Sequence, residues 1–251
     1  MPNETDWMTW RVGLSLGVMA LLLLWESVQP FFGFFVAGAH PWRARCAHAF
    51  RNVGLGVVNG LVIRFGFLTV WAYTMSWSSA HGAGLLHWIP LPTWARFVAA
   101  ILLLDLWTYG WHRLNHTVPL FWRFHRLHHA DRQMDVTTAN RFHLGEIVLS
   151  SVFRIPVLAA IGCTVQELAL YETLLFAGVQ FHHANIGLPE PIDRALRVVL
   201  VTPHLHKVHH SVVVAEQNAN FSSLFSWWDR VARTFRTASD PSRIKFGVND
   251  G

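Results

Sequence analysis

Residues 94–129, WARFVAAILLLDLWTYGWHRLNHTVPLFWRFHRLHH, decide the reading of this chain. From Trp94 to Trp111 the stretch is almost wholly apolar and close to the ~20 residues needed to cross a ~30 Å hydrocarbon core. It then delivers His112, His116, His125, His128 and His129 within 18 positions. On a helix, spacings of three and four place side chains on one face, so His112-x3-His116 and His125-x2-His128-His129 can each aim two or three imidazoles at one point.

Four further apolar stretches flank it: Val12 to Phe35, broken by Glu26 and Pro30; Val53 to Trp77; Ile147 to Cys163; and Val165 to Phe181. The last two are joined by almost no loop and predict a helical hairpin. In it, Arg154 and Glu172 lie equally far from the turn at Cys163 and are expected to pair, because a lone charge in hydrocarbon is costly. The first stretch follows the acidic Met1–Asp6 and has no A-x-A cleavage site, so a retained segment is expected rather than a signal peptide.

Composition agrees with a membrane protein. Charged residues make up 14% and the AVILMFWYC set 52% of 251 residues, against about 25% and 45–50% in ordinary soluble domains. The net charge of +5 comes from arginines grouped in a few segments, not from a nucleic-acid-binding stripe. Those groups set the expected topology, since short cytoplasmic loops are enriched in Lys and Arg. Arg43, Arg45 and Arg51 precede the second stretch, whereas Ser76 to Thr93 carries no Lys or Arg. Arg113, Arg123, Arg126, Arg132 and Arg141 follow the third. The amino terminus is thus expected outside, with every histidine group on the cytoplasmic side. The two cysteines, Cys46 and Cys163, suggest neither a disulfide framework nor a thiolate metal site.

A third histidine group, His206-x2-His209-His210, repeats the spacing of the second. Imidazole suits Zn, Cu, Fe and Ni, and a single tetrahedral zinc is saturated by four donors. Eight donors in three groups therefore imply two metals. The expectation is an all-α integral membrane protein of about four to five membrane helices, with a cytoplasmic helical cap carrying a histidine-rich dimetal site. Residues 1–93 would supply amino-terminal membrane helices, 94–238 the catalytic region and 239–251 a tail. His40, His48, His81 and His87 lie in loops without partner spacing, and His204 is off the face defined by His206, His209 and His210; none receives a role.

The histidine pattern and its surroundings resemble the sterol desaturase and fatty acid hydroxylase superfamily of membrane di-iron oxygenases. The resemblance runs from about Asp105 to Thr237. It rests on Asp105-x6-His112-Arg113-x2-His116, Arg141-Phe142-His143 with Glu146, Phe181-His182-His183-Ala184-Asn185, and Thr202-Pro203 before His206-Lys207-Val208-His209-His210-Ser211. Trp228-Asp229 and Thr234 resemble its closing elements. Two positions depart: Leu144 stands where the family has proline, and Ala232-Arg233 replaces Phe-Gly.

The resemblance implies that His112, His116, His125, His128, His129, His206, His209 and His210 share two iron ions, with His183 as ninth ligand, His182 its rival and His143 a further candidate. Zinc is a possible substitute metal in purified material. Asp105, two turns before His112, would orient an imidazole, a role open also to Tyr109. The implied activity is O2-dependent hydroxylation of a C–H bond of a membrane lipid, with desaturation as the alternative outcome. A separate electron-donor protein is implied. From the residues alone, a zinc-dependent hydrolase or a His-rich transport or metal-binding protein stands as the reading from another class.

Overall fold

The computed structural model describes residues 4–35 and 40–248, and for residues 4–12 the backbone alone. Met1–Asn3 and the last three residues of the expected tail therefore lie outside the described residues. Those that are described form helices, with two isolated β-bridges, Leu200 to Phe225 and Ser211 to Phe246. In chain order the helices are α1 (Glu4–Val28), α2 (Pro41–Val62), α3 (Leu68–His81), α4 (Leu85–Trp88), α5 (Thr93–Thr117), α6 (Pro119–His129), α7 (Leu144–Ile161), α8 (Val165–His183), α9 (Glu190–Leu196), α10 (Pro203–His209), α11 (Val214–Gln217) and α12 (Trp227–Val231).

Among the described residues, two helical runs are long and apolar enough to cross a membrane, Pro41–Trp88 and Leu144–Ile161, each with a window of mean hydropathy 1.8. Only 6% of the first window and 22% of the second are buried, so both present apolar side chains outward. That is what a lipid solvent permits and water penalises. The apolar part of α1, Gly13–Val28, is shorter. The second stretch differs from its expected outline: helix begins at Pro41, so Arg43, Arg45 and Arg51 sit on α2 and not in a loop. A five-residue π-turn, Ile63–Phe67, joins α2 to α3 and carries the exposed Arg64.

The chain forms two compact units. One comprises Gly54–His128 and Phe142–Glu172; the other comprises the residues up to Val53, His129–Arg141 and Thr173 onward. In the first, α7 and the start of α8 make the expected hairpin, with Gly162 in the left-handed conformation at its turn (φ 72°). Gly84 (φ 100°) approaches that turn so closely that a β-carbon would meet Ala159 O at 2.5 Å. Arg154 and Glu172 pair across the hairpin, as their equal distance from the turn requires, and Arg154 lies over the ring of Trp71. Arg96 holds the turn from α5, bonding Glu167 Oε1 at 2.9 Å and Gly162 O at 2.7 Å. Leu144 takes the first position of α7 after the His143 cap, where proline is favoured but no donor is lost without it. That departure is harmless.

In the second unit, Leu22 of α1 packs with Val136, Ala184 and Ile186. Beside them Glu26 is buried. Its Oε2 accepts from the backbone N–H of Val136 (3.1 Å) and of Asn185 (2.9 Å), and its Oε1 pairs with Arg45 (3.0 Å). A carboxylate in an apolar helix thus fastens two distant loops. Asp229 does the same near the carboxyl end, accepting from Phe221 N, Ser222 N and Thr234 Oγ1 at 2.7–3.0 Å. At the other departure Arg233 adopts φ 60°, a left-handed position that costs a residue with a β-carbon roughly 1–2 kcal/mol and glycine almost nothing.

Candidate metal centre

Each unit carries its own group of convergent histidines. In the first, α5 presents His112 and His116 one turn apart, and α6 adds His125 and His128 on its buried face while Arg123 and Arg126 are exposed. The rings of His112, His116 and His125 stand 4.9–5.2 Å apart, centroid to centroid, with one nitrogen of each within 4.8 Å of the others. His125 Nδ1 lies 2.9 Å from Glu146 Oε1, which also accepts from Asn115 at 3.0 Å. That contact places the proton on Nδ1 and leaves Nε2 as a lone-pair donor. His128 stacks on Phe142 at 4.4 Å.

In the second unit, α10 carries His206 and His209, with His210 at its cap, held at its amino end by Thr202, whose hydroxyl accepts from Leu205 N. His183 ends α8. Its Nε2 is 3.0 Å from Nε2 of His206, which in turn is 3.1 Å from Nε2 of His210. Three imidazole nitrogens crowd one point, and all three rings are buried. His183 Nδ1 donates to Val179 O and His209 Nδ1 to Ala219 O, both at 2.7 Å, which places the proton on Nδ1 and the lone pair on Nε2. His129 stacks on His210 at 4.3 Å and meets His209 edge-on at 4.7 Å. Burial, followed by the neighbouring imidazoles, holds His206 well below the ordinary histidine range, so it stays neutral, the form that binds metal. Between His206 and His209, buried Lys207 donates to Ala184 O and Ile186 O and ties α10 to the turn after His183; burial pushes its ammonium down to about 7.

The donor chemistry fits iron: clustered, mostly buried imidazoles, three of them (His125, His183 and His209) oriented by an outer acceptor, with no thiolate among them. His128 and His129 are consecutive in the chain yet belong to different units, so the second histidine group contributes to both.

The profile of the fatty acid hydroxylase family matches residues 97–234, a span that holds all of these histidines and more than half of the chain. The chain belongs to the fatty acid hydroxylase family. Among curated relatives of this hydroxylase-family chain, the ornithine lipid hydroxylase OlsE of Rhizobium tropici is 25% identical over 95% of this chain and 71% of its own length. Human alkylglycerol monooxygenase is 26% identical over 94% of this chain and 48% of its own. Human cholesterol 25-hydroxylase is 28% identical over 57% and 52%. The chain thus spans about half the length of the last two. No solved structure matches it.

Of the remaining expected site residues, Asp105 is fully buried in α5 and accepts from the Tyr171 hydroxyl at 3.4 Å. His143 caps α7, its Nδ1 accepting from Gly145 N at 2.9 Å, and stacks near Phe124. His182 packs against His206 at 3.9 Å, even nearer than His183 at 4.3 Å, because α8 ends there. Sequence spacing missed His48. It is buried, 3.4 Å from Asp131 Oδ2 and 3.5 Å from Asp135 Oδ1, with Asn52 beside it. The signal was tertiary: no local repeat links residue 48 to 131.

Proposed function

We propose that this fatty acid hydroxylase family member inserts one oxygen atom of O2 into a C–H bond of a membrane lipid. His112, His116, His125, His128, His129, His183, His206, His209 and His210 hold two irons. The observation that carries the reading is the set of Nδ1-anchored imidazoles, His125 on a carboxylate and His183 and His209 on backbone carbonyls, which is how proteins orient metal-bound histidine. Iron supplies the power to activate O2. The chain's own residues keep His206 neutral, present Nε2 of His125, His183 and His209 as donors and exclude water through burial. Asp105, with Tyr171 and Thr108, forms a polar cluster within α5 and α8 that steadies the helix bearing His112. The reaction consumes one O2, two electrons and two protons, and yields an alcohol and water.

The relatives are named hydroxylases and monooxygenases, which supports hydroxylation over desaturation. An ornithine lipid, an alkylglycerol and cholesterol are what those names mention, so an amphiphile entering from the bilayer is the substrate class proposed here. The helices cross the membrane several times, with the amino terminus outside and the histidines at the cytoplasmic face. A separate electron-donor protein docks on exposed Arg113, Arg123 and Arg126. The test is lipid profiling of cells expressing the wild type or His206→Ala under isotopically labelled dioxygen. The reading requires a lipid carrying one labelled oxygen in the wild type alone; identical lipid profiles refute it.

A further inference from the structure

A second kind of donor set lies in the unit that carries His206, apart from the histidine groups. Glu190 and Asp193 are one turn apart on α9, and His204 follows on the first turn of α10. One ligand atom from each lies within 4.8 Å of the other two. Asp193 is fully buried and His204 only 9% exposed; His204 and Thr202 lie against the Asp193 carboxylate and hold it below the usual carboxylate range despite its burial, yet neither ring nitrogen of His204 has a partner nearer than Asp193 Oδ1. Glu190 stands at the exposed mouth.

The separation of His204 Nδ1 and Asp193 Oδ1 is 3.5 Å, beyond the 2.7–3.2 Å of a normal N–H···O bond. Two donors on a tetrahedral zinc at about 2.0–2.1 Å stand roughly 3.3–3.4 Å apart. Arg197 does not block the position. It bonds Asp193 Oδ2 and Glu190 Oε1, each at 3.0 Å, and Arg194 also takes Glu190 Oε1, at 3.3 Å. The guanidiniums take one oxygen of each carboxylate, and Asp193 Oδ1 faces His204 instead.

We infer that Glu190, Asp193 and His204 bind one divalent cation of the zinc class, separate from the two irons. Zinc accepts imidazole nitrogen and carboxylate oxygen together at four positions, so one imidazole, two carboxylates and a water can complete its shell, whereas calcium and magnesium take oxygen ligands in larger number. The ion clips α9 to the amino end of α10, two residues before His206. It bonds nothing that reacts, and its presence does not depend on the proposed hydroxylation.

The test uses the full-length, iron-loaded protein in detergent, equilibrated with zinc chloride and desalted. Metal content and the zinc-edge X-ray absorption spectrum are then measured. Expected is one zinc per chain with a shell of one imidazole nitrogen and oxygen donors, lost in His204→Ala and in Asp193→Asn while iron per chain is unchanged. If those buried positions do not fold when changed, Glu190→Gln at the exposed mouth keeps the question open to measurement, and zinc affinity falls at least tenfold. A zinc shell of several imidazoles, which marks iron displaced from the histidine groups, overturns the inference. So does zinc binding unaffected by Glu190→Gln, or no zinc retained.

Discussion

The two histidine groups reach the same outcome by different supports. In the α5–α6 unit, His125 is oriented by a side-chain carboxylate, Glu146, itself steadied by Asn115. In the unit carrying α8 and α10, His183 and His209 are oriented by backbone carbonyls, one in the same helix and one in the loop at Ala219. A carboxylate adds charge and raises imidazole basicity; a carbonyl fixes direction with little charge. The first support can be removed by one substitution. The second depends on a folded loop.

The largest effect is expected from removing a ligand in either group. His125→Ala and His206→Ala should each abolish lipid oxidation and lower the iron content per chain, read by product analysis and metal analysis on the same sample. Next is Glu146→Ala, which leaves His125 in place without its acceptor; loss of metal affinity or activity by about 10–100-fold is expected. An unchanged iron affinity would show that the carboxylate matters less than the comparison claims.

Asn220→Ala probes the other support. Asn220 bonds Leu205 O, Arg236 O and Arg236 N at 2.7–3.0 Å and holds the loop beside the Ala219 carbonyl on which His209 rests. Losing those buried bonds should cost about 2–3 kcal/mol, seen as a lower melting temperature together with weaker iron retention. The smallest effect is a gain. Arg233→Gly, at the left-handed position in the same region, should raise stability by about 1 kcal/mol with iron content unchanged; a loss of stability would mean that the arginine side chain contributes more than its backbone strain removes.

Local spacing made much of this legible. The i, i+3 and i, i+4 histidines are covalently near, so the sequence already shows which rings can converge, and equal distance from the Cys163 turn was enough to pair Arg154 with Glu172. Arg233 was readable too, as a departure from a glycine that the observed φ of 60° explains. What stayed hidden is long-range. Glu26 was visible only as a break in an apolar stretch, although it fastens Val136 and Asn185 more than a hundred residues away. The start of α2 was missed because Arg43, Arg45 and Arg51 read as a charged loop, whereas their side chains are accommodated on a helix. His204 was set aside because it lies off the face of His206 and His209, yet that same offset turns it toward Asp193. The choice between His182 and His183 was left open by spacing, since both rings flank His206 at the end of α8.

Iron analysis of the purified, full-length protein, combined with iron-edge X-ray absorption, tests the central claim most directly. The account predicts two irons per chain, each surrounded mainly by imidazole nitrogen, with Glu146→Ala weakening retention. A protein from native membranes that holds zinc alone in the histidine groups, or one iron or none, and forms no oxygenated lipid when given O2 and reductant, would contradict it.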